Sequence, residues 1–103
     1  MLFLLDIRVD PKDLSFDELW DLWEKETEAS IDAKKAGKIV DLWKVAGQRR
    51  VVAVVDVESH DELDQILMGG LPMAHNLEFL QILPLRAYDN FASDVRSRWK
   101  GDS

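Results

Sequence analysis

The chain has no cysteine. That excludes disulfides, a thiolate nucleophile and a Cys-ligated zinc. Basic residues are scarce as well: 13 Lys and Arg stand against 20 Asp and Glu, a net charge of -7. Such a surface repels nucleic acid and anionic membrane, so neither is expected as a partner. The bland role of the charge is to keep the protein in solution. Only two histidines occur, His60 and His75, and neither has a third ligand near it at metal-binding spacing, so no metal is expected. Long apolar runs are also missing. The opening MLFLLDIRV is apolar but short, lacks a basic start and meets Asp6 at once. It reads as a strand, not a signal peptide or membrane span, and a cytoplasmic protein is the default expectation. At 103 residues, 47% of them hydrophobic, the chain makes one domain with ample material for a core.

What is present falls into a regular order. Leu2–Val9 is a strand, ended by Pro11 and Asp13. Ser15 suits a helix N-cap, with Asp17 and Glu18 in the first turn against the dipole. The helix runs to about Ala36, where Gly37 stops it. Asp41–Glu58, DLWKVAGQRRVVAVVDVE, organises the rest. It reads as two strands, Lys38–Ala46 and Arg49–Val57, with Gly47-Gln48 as the turn. Ser59 and Glu62 form a capping box for a second helix to Met68, which Gly69-Gly70 ends. Leu71–Asn76 is a loop, and Leu77–Leu85 is the fourth strand.

This β-α-β-β-α-β order predicts an α+β, ferredoxin-like fold: a four-stranded antiparallel sheet with both helices on one face. The second hairpin strand is nearly uninterrupted Val and Ala, where a half-exposed strand would alternate with polar residues. Leu2, Leu4, Val52, Val54, Leu77 and Phe79 are too many apolar residues for one helix layer. A second copy covering the open face, as in a dimeric α/β barrel, accommodates the excess. The domain is expected to span 1–86. Residues 87–103 form a tail in which Tyr88, Phe91, Val95 and Trp99 recur at helical spacing. The tail either docks on a neighbouring subunit or packs on its own helix layer.

Leu42-Trp43-Lys44 with Gly47, then Asp56-Val57 with Ser59, Glu62-Leu63 and Leu71-Pro72 resemble the muconolactone delta-isomerase family. That family's pattern runs Leu-Trp-basic-x-x-Gly, Asp-Val-x-Ser, Glu-Leu and Leu-Pro-Leu, and the likeness holds in register from about Met1 to Arg86. The resemblance implies the same fold, assembled as dimers into larger rings, typically decamers. It also implies a reaction without metal or cofactor: a proton moves from C4 to C2 of an unsaturated lactone carboxylate such as muconolactone, giving 3-oxoadipate enol-lactone in aromatic-compound catabolism. The chain departs from the family at Arg49-Arg50, at Val51–Ala53, in the loop Met73–Asn76, where His75 and Asn76 replace a proline and a tyrosine, and in its helical tail.

On the first helix, Phe16, Leu19, Trp20, Trp23, Thr27, Ser30 and Lys34 define one side. Asp17, Asp21, Glu24, Glu28 and Asp32 define the other. Glu26 sits at the edge of the first side, beside small residues. From the residues alone it is either a desolvated carboxylate fit for proton transfer or a boundary glutamate paired with Lys34 or a strand arginine. The resemblance implies the former, because Glu26, counted back from Gly37, falls where the family carries a glutamate implicated in proton transfer. A substrate carboxylate and a dienolate oxygen would need a cation and donors. Lys44, Arg49, Arg50 and Arg8 are candidates, with Lys44 at the family's basic position. Arg49 is a carboxylate clamp or a solvated arginine at a hairpin end. Trp43 is core and walls a pocket. His75 is a proton carrier at a pocket mouth or a surface histidine. Two other readings stay open: a non-catalytic module of this fold that binds a small acid or builds an assembly, and a related enzyme such as a lactone dehalogenase or cofactor-free monooxygenase.

Overall fold

The computed structural model describes residues 1–99, the side chain of Trp99 excepted. The order is β1 (Leu2–Val9), α1 (Phe16–Lys35), β2 (Ile39–Lys44), β3 (Arg50–Asp56), α2 (His60–Gln65), β4 (Leu77–Leu85) and α3 (Tyr88–Trp99). The strands form one sheet in the order β2-β3-β1-β4, and each neighbouring pair is antiparallel. This is the expected ferredoxin-like arrangement. No helix among the described residues is long and apolar enough to cross a membrane.

Capping begins both long-range helices. The Ser15 hydroxyl accepts from the Glu18 amide at 3.2 Å, and the Glu18 carboxylate accepts from the Ser15 amide at 2.8 Å. The Ser15 backbone N–H first, then the Ser15 side chain, hold the Glu18 carboxyl below its usual range. At α2 the Ser59 hydroxyl likewise accepts from Glu62, but the Glu62 carboxylate accepts from the Glu58 amide rather than from Ser59. The expected box there is therefore half formed. The second arm goes one residue earlier because Glu62 also takes the Lys38 ammonium at 2.7 Å. Beyond Gln65 the chain does not continue as α-helix to Met68. It widens into a π-helical turn over Ile66–Gly70, and a short 3-10 turn, Ala74–Asn76, precedes β4.

The β2–β3 hairpin is looser than expected. Its strands stop at Lys44 and start at Arg50. Gly47 takes a φ of 79°, a left-handed turn position that only glycine occupies without strain.

Phe3, Leu5, Ile7 and Val9 alternate toward the helices, opposite Val55, Ala53 and Val51 on β3. Across β4, Asp6 pairs with Gln81 but Ile7 pairs with Phe79, so Leu80 is an extra residue in a bulge. An extra residue reverses the facing of everything beyond it. Leu77 and Phe79 therefore join the helix-side core and are not part of the apolar excess, as the sequence pattern had implied. Leu83 and Leu85, opposite Leu4 and Leu2, take their place on the open face beside Val52 and Val54.

The inner face of α1 is also turned from the expected one. Leu19, Leu22, Trp23, Glu26, Ser30 and Ala33 are buried or half-buried, whereas Phe16 is 67% exposed and Trp20 55%. Phe16 and Trp20 meet at a tilt outside the core, centroids 5.8 Å apart and ring planes at 58°. Their apolar character pulls the apparent hydrophobic direction of the helix toward solvent.

The N-terminal cap of α1 is the most completely satisfied local device in the chain. Ser15→Ala should cost about 1 kcal/mol of unfolding free energy, read from urea denaturation followed by far-UV circular dichroism.

Candidate active site

α1 does not pack flush on the sheet. One apolar cluster joins Phe3, Leu5, Ala53, Val55, Leu63 and Leu67. A second joins Val9, Leu19 and Met73, with Leu14, Leu22 and Trp23 against it. Between helix and sheet lies a cavity of about 1130 Å³. Ala29, Ser30 and Ala33 on α1 and Ala53 on β3 line it, and side chains this small leave the space unfilled. The walls are largely apolar.

Glu26 lines this cavity and is only 8% exposed. It stands at the centre of the inner helix face, not at its edge. One carboxylate oxygen, Oε1, accepts the Met73 backbone N–H at 2.9 Å. The other, Oε2, has only the Ser30 hydroxyl, at a long 3.5 Å. Lys34, one of the partners considered from the sequence, is paired with Asp41 instead. Burial pushes the Glu26 carboxyl above its ordinary value, and the Met73 and Ser30 contacts offset this only in part. A carboxylate with a raised pKa, one oxygen anchored and the other facing apolar space can accept a carbon-bound proton and return it.

The other sequence candidates fall in different places. Lys44 and Trp43 contribute to the cavity wall. The Lys44 ammonium is exposed and donates to the Val45 carbonyl, and Trp43 is half exposed on the edge strand, opposite Val52. Neither Trp20 nor Trp43 is a core residue. Arg49 is exposed at the hairpin and lies outside this cavity. Arg50 is committed to Asp6 through two contacts of 2.8 and 2.6 Å on the open sheet face, and these hold the Asp6 carboxyl below its usual range. Arg8 pairs with Glu78. His75 is exposed, with its ring 3.3 Å from the Lys12 ammonium, and it does not line the cavity. Among the described residues no group of three His, Asp or Glu side chains is arranged to hold a metal ion.

Sequence reasoning missed two groups at the cavity. Lys38 lines the cavity while paired with Glu62. Its position directly after the helix-ending Gly37, at the start of an apolar strand, was the available signal. The Met73 amide left no signal, because a backbone N–H is common to every residue but proline.

The model of the muconolactone delta-isomerase family matches residues 1–91. The chain belongs to the muconolactone delta-isomerase family. A muconolactone Delta-isomerase of Rhodococcus opacus is 32% identical over 96 residues, covering 90% of this chain and 98% of the relative. Another, from Acinetobacter baylyi, is 27% identical over 94 residues, covering 88% and 96%. A crystal structure of muconolactone isomerase aligns with a TM-score of 0.73 at 27% identity, over 84% of this chain and 90% of that one. In this member of the muconolactone delta-isomerase family, the matched region contains the whole sheet, α1 and the cavity. It stops within α3.

The raised Glu26 pKa makes a prediction about stability. The folded protein holds this proton more tightly than the unfolded chain does, so the group's stabilising contribution is full below its ordinary value of 4.5. It is lost as pH rises through the higher folded value. Glu26→Gln keeps an acceptor for the Met73 amide and carries no charge. The variant should melt above the wild type at neutral pH, and the two melting temperatures should converge as pH falls to 4.5 and below.

Proposed function

We propose that the chain is an isomerase that moves a proton within an unsaturated lactone carboxylate of the muconolactone type, with Glu26 as the base. The observation that carries the reading is a buried carboxylate, anchored on one oxygen, in an apolar cavity between α1 and the sheet. In the forward step Glu26 takes the proton at C4, beside the ring oxygen. The C4–H electron pair moves into the conjugated system and gives a dienolate with its charge on the carbonyl oxygen. The now neutral Glu26 returns the proton at C2, the double bond ends between C3 and C4, and the carboxylate is regenerated. No atom is gained or lost. Apolar walls strengthen each electrostatic contact to the developing charge. Lys44 at the cavity wall, at the family's basic position, is the residue that fits the substrate carboxylate. Arg49 and His75, outside the cavity, have no role in this step.

Glu26→Gln should lower turnover by roughly 10²–10⁴-fold, the scale of general-base catalysis, while a product-like lactone acid binds almost as before. In the wild type, kcat/KM should fall on the acid side through a pKa above 4.5, because only the ionised carboxylate accepts the proton. Turnover in deuterium oxide should place deuterium at C2. Near-normal turnover by the Gln variant would remove Glu26 from the mechanism.

We further infer that two copies pair through their open sheet faces. Leu2, Leu4, Val52, Val54, Leu83 and Leu85 form that face around the Asp6–Arg50 and Arg8–Glu78 pairs, and α1 and α2 both lie on the other side. Val54→Asp should reduce the sedimenting mass while leaving the circular dichroism of the fold, since an unpaired buried charge costs about 3–5 kcal/mol. A wild-type monomer at micromolar concentration would contradict the pairing.

A further inference from the structure

The Glu26 cavity is much longer than a muconolactone-type acid. The inner-facing residues of β3, Val51, Ala53 and Val55, all line it, and so does Val57 just beyond the strand. From Val51 to Val57 the chain advances roughly 20 Å. β2 gives the same length. Lys44, opposite Val51, and Lys38, whose carbonyl accepts the Asp56 amide, both line the cavity. A five-membered lactone with one carboxymethyl arm measures only about 7 Å at ordinary bond lengths. The volume of about 1130 Å³ also exceeds the roughly 300–1,000 Å³ usual for pockets that hold drug-sized ligands.

Glu26 stands at neither end of this length. On α1 the lining runs from Trp20 to Ala33, with Glu26 midway. Trp20 and Lys44 mark one end, where both also line the neighbouring hairpin groove. Lys38 marks the other, and its amide donates to the Ala33 carbonyl at 2.9 Å. Two turns of helix, about 10 Å, separate Glu26 from Ala33. A small lactone acid held between Lys44 and Glu26 therefore does not reach the Lys38 half. That half is walled by Ala33, Ile39, Val55, Leu63 and Ile66. Its one cation is already committed, since the Lys38 ammonium donates to Glu62 at 2.7 Å. The chemistry of this half suits an apolar group and not a second anion.

We propose that the Lys38 half is a substituent pocket, and that the preferred substrates are lactone acids bearing an apolar alkyl or aryl group on ring carbon C2. This rests on the reading of Glu26 as the base and Lys44 as the partner of the substrate carboxylate. With the carboxymethyl arm on C4 directed to Lys44, C2 lies across the ring and directs its substituent along α1 toward Ala33. The group leaves the proton balance unchanged. The C4 proton passes to Glu26 and returns to C2, which ends with one hydrogen and the substituent, and no atom is gained or lost. Ala33 is the residue that sets this specificity. Its methyl group leaves the path from Glu26 to the Lys38 end open, and a longer side chain there would close it.

The test is a series of muconolactone-type acids with methyl, propyl or pentyl on C2, assayed with the full-length chain. The three share the electronic effect of an alkyl group, so only its length varies. In the wild type kcat/KM should rise from methyl to pentyl, by about fourfold for each methylene buried. Ala33→Leu should lower the pentyl-to-methyl ratio by roughly tenfold or more. Circular dichroism checks that this variant is folded, and the wild-type series decides the matter without it. The same acids, titrated calorimetrically into the Glu26→Gln variant, should bind with the same dependence on chain length. That readout needs no proton transfer, so it stands even if another residue is the base. Affinity and kcat/KM that stay flat or fall from methyl to pentyl would overturn the proposal. So would a folded Ala33→Leu protein that keeps the wild-type ratio.

Discussion

The hydrogen bond from the Met73 amide to Glu26 Oε1, 2.9 Å long, is the contact on which the site depends. It ties the middle of α1 to the segment that precedes β4. A carboxylate at 8% exposure would be very costly without a donor. One amide is enough to hold it and too little to satisfy it, so its pKa stays raised. Asp6 on the other face is more fully satisfied, by two contacts from the half-exposed Arg50, and its pKa is lowered. The difference between a carboxylate with a lowered pKa and one with a raised pKa here is burial together with the number and charge of its partners.

The cavity follows from the same economy of contacts. Ala29, Ser30, Ala33 and Ala53 are too small to fill the space between helix and sheet, and Trp20 and Trp23 line it without closing it. Trp23 packs with Leu19 and Met73, while Phe16 and Trp20 are largely exposed. The helix thus has an inner face that leaves room for a lactone acid and outer aromatics that face solvent. The β4 bulge works in a similar way on the sheet. By inserting Leu80 it gives Phe79 to the core and sends Leu83 and Leu85 to the open face, which makes that face apolar over a continuous area.

Much of this was legible in the residues, for local reasons. Ser15 with Glu18, Gly37 after Lys35, and the run of Val and Ala in β3 define starts, stops and buried strands by interactions within a few residues. β1 and β4 lie where hydrophobicity alone places them. The parity of β4 was not legible, because a bulge depends on the neighbouring strand. Nor was the rotation of α1, because an aromatic counts as apolar whether it is buried or exposed at the surface. Arg49 looked equally like a carboxylate clamp and a hairpin arginine, and only the position of the cavity separates these. His75 stands close to Met73 in sequence, but its ring lies out by Lys12.

The sequence by itself determined the order of elements, the N-caps at Ser15 and Ser59, the ferredoxin-like class and the presence of a glutamate at the edge of an apolar side of α1. Each depends on spacing along the chain, which periodicity and capping chemistry expose. Only the tertiary structure decided what surrounds that glutamate. Its partners are an amide 47 residues away and a gap defined by small side chains on two elements. The raised pKa is a property of that enclosure, and burial is a relation between distant segments that no local pattern of residues contains.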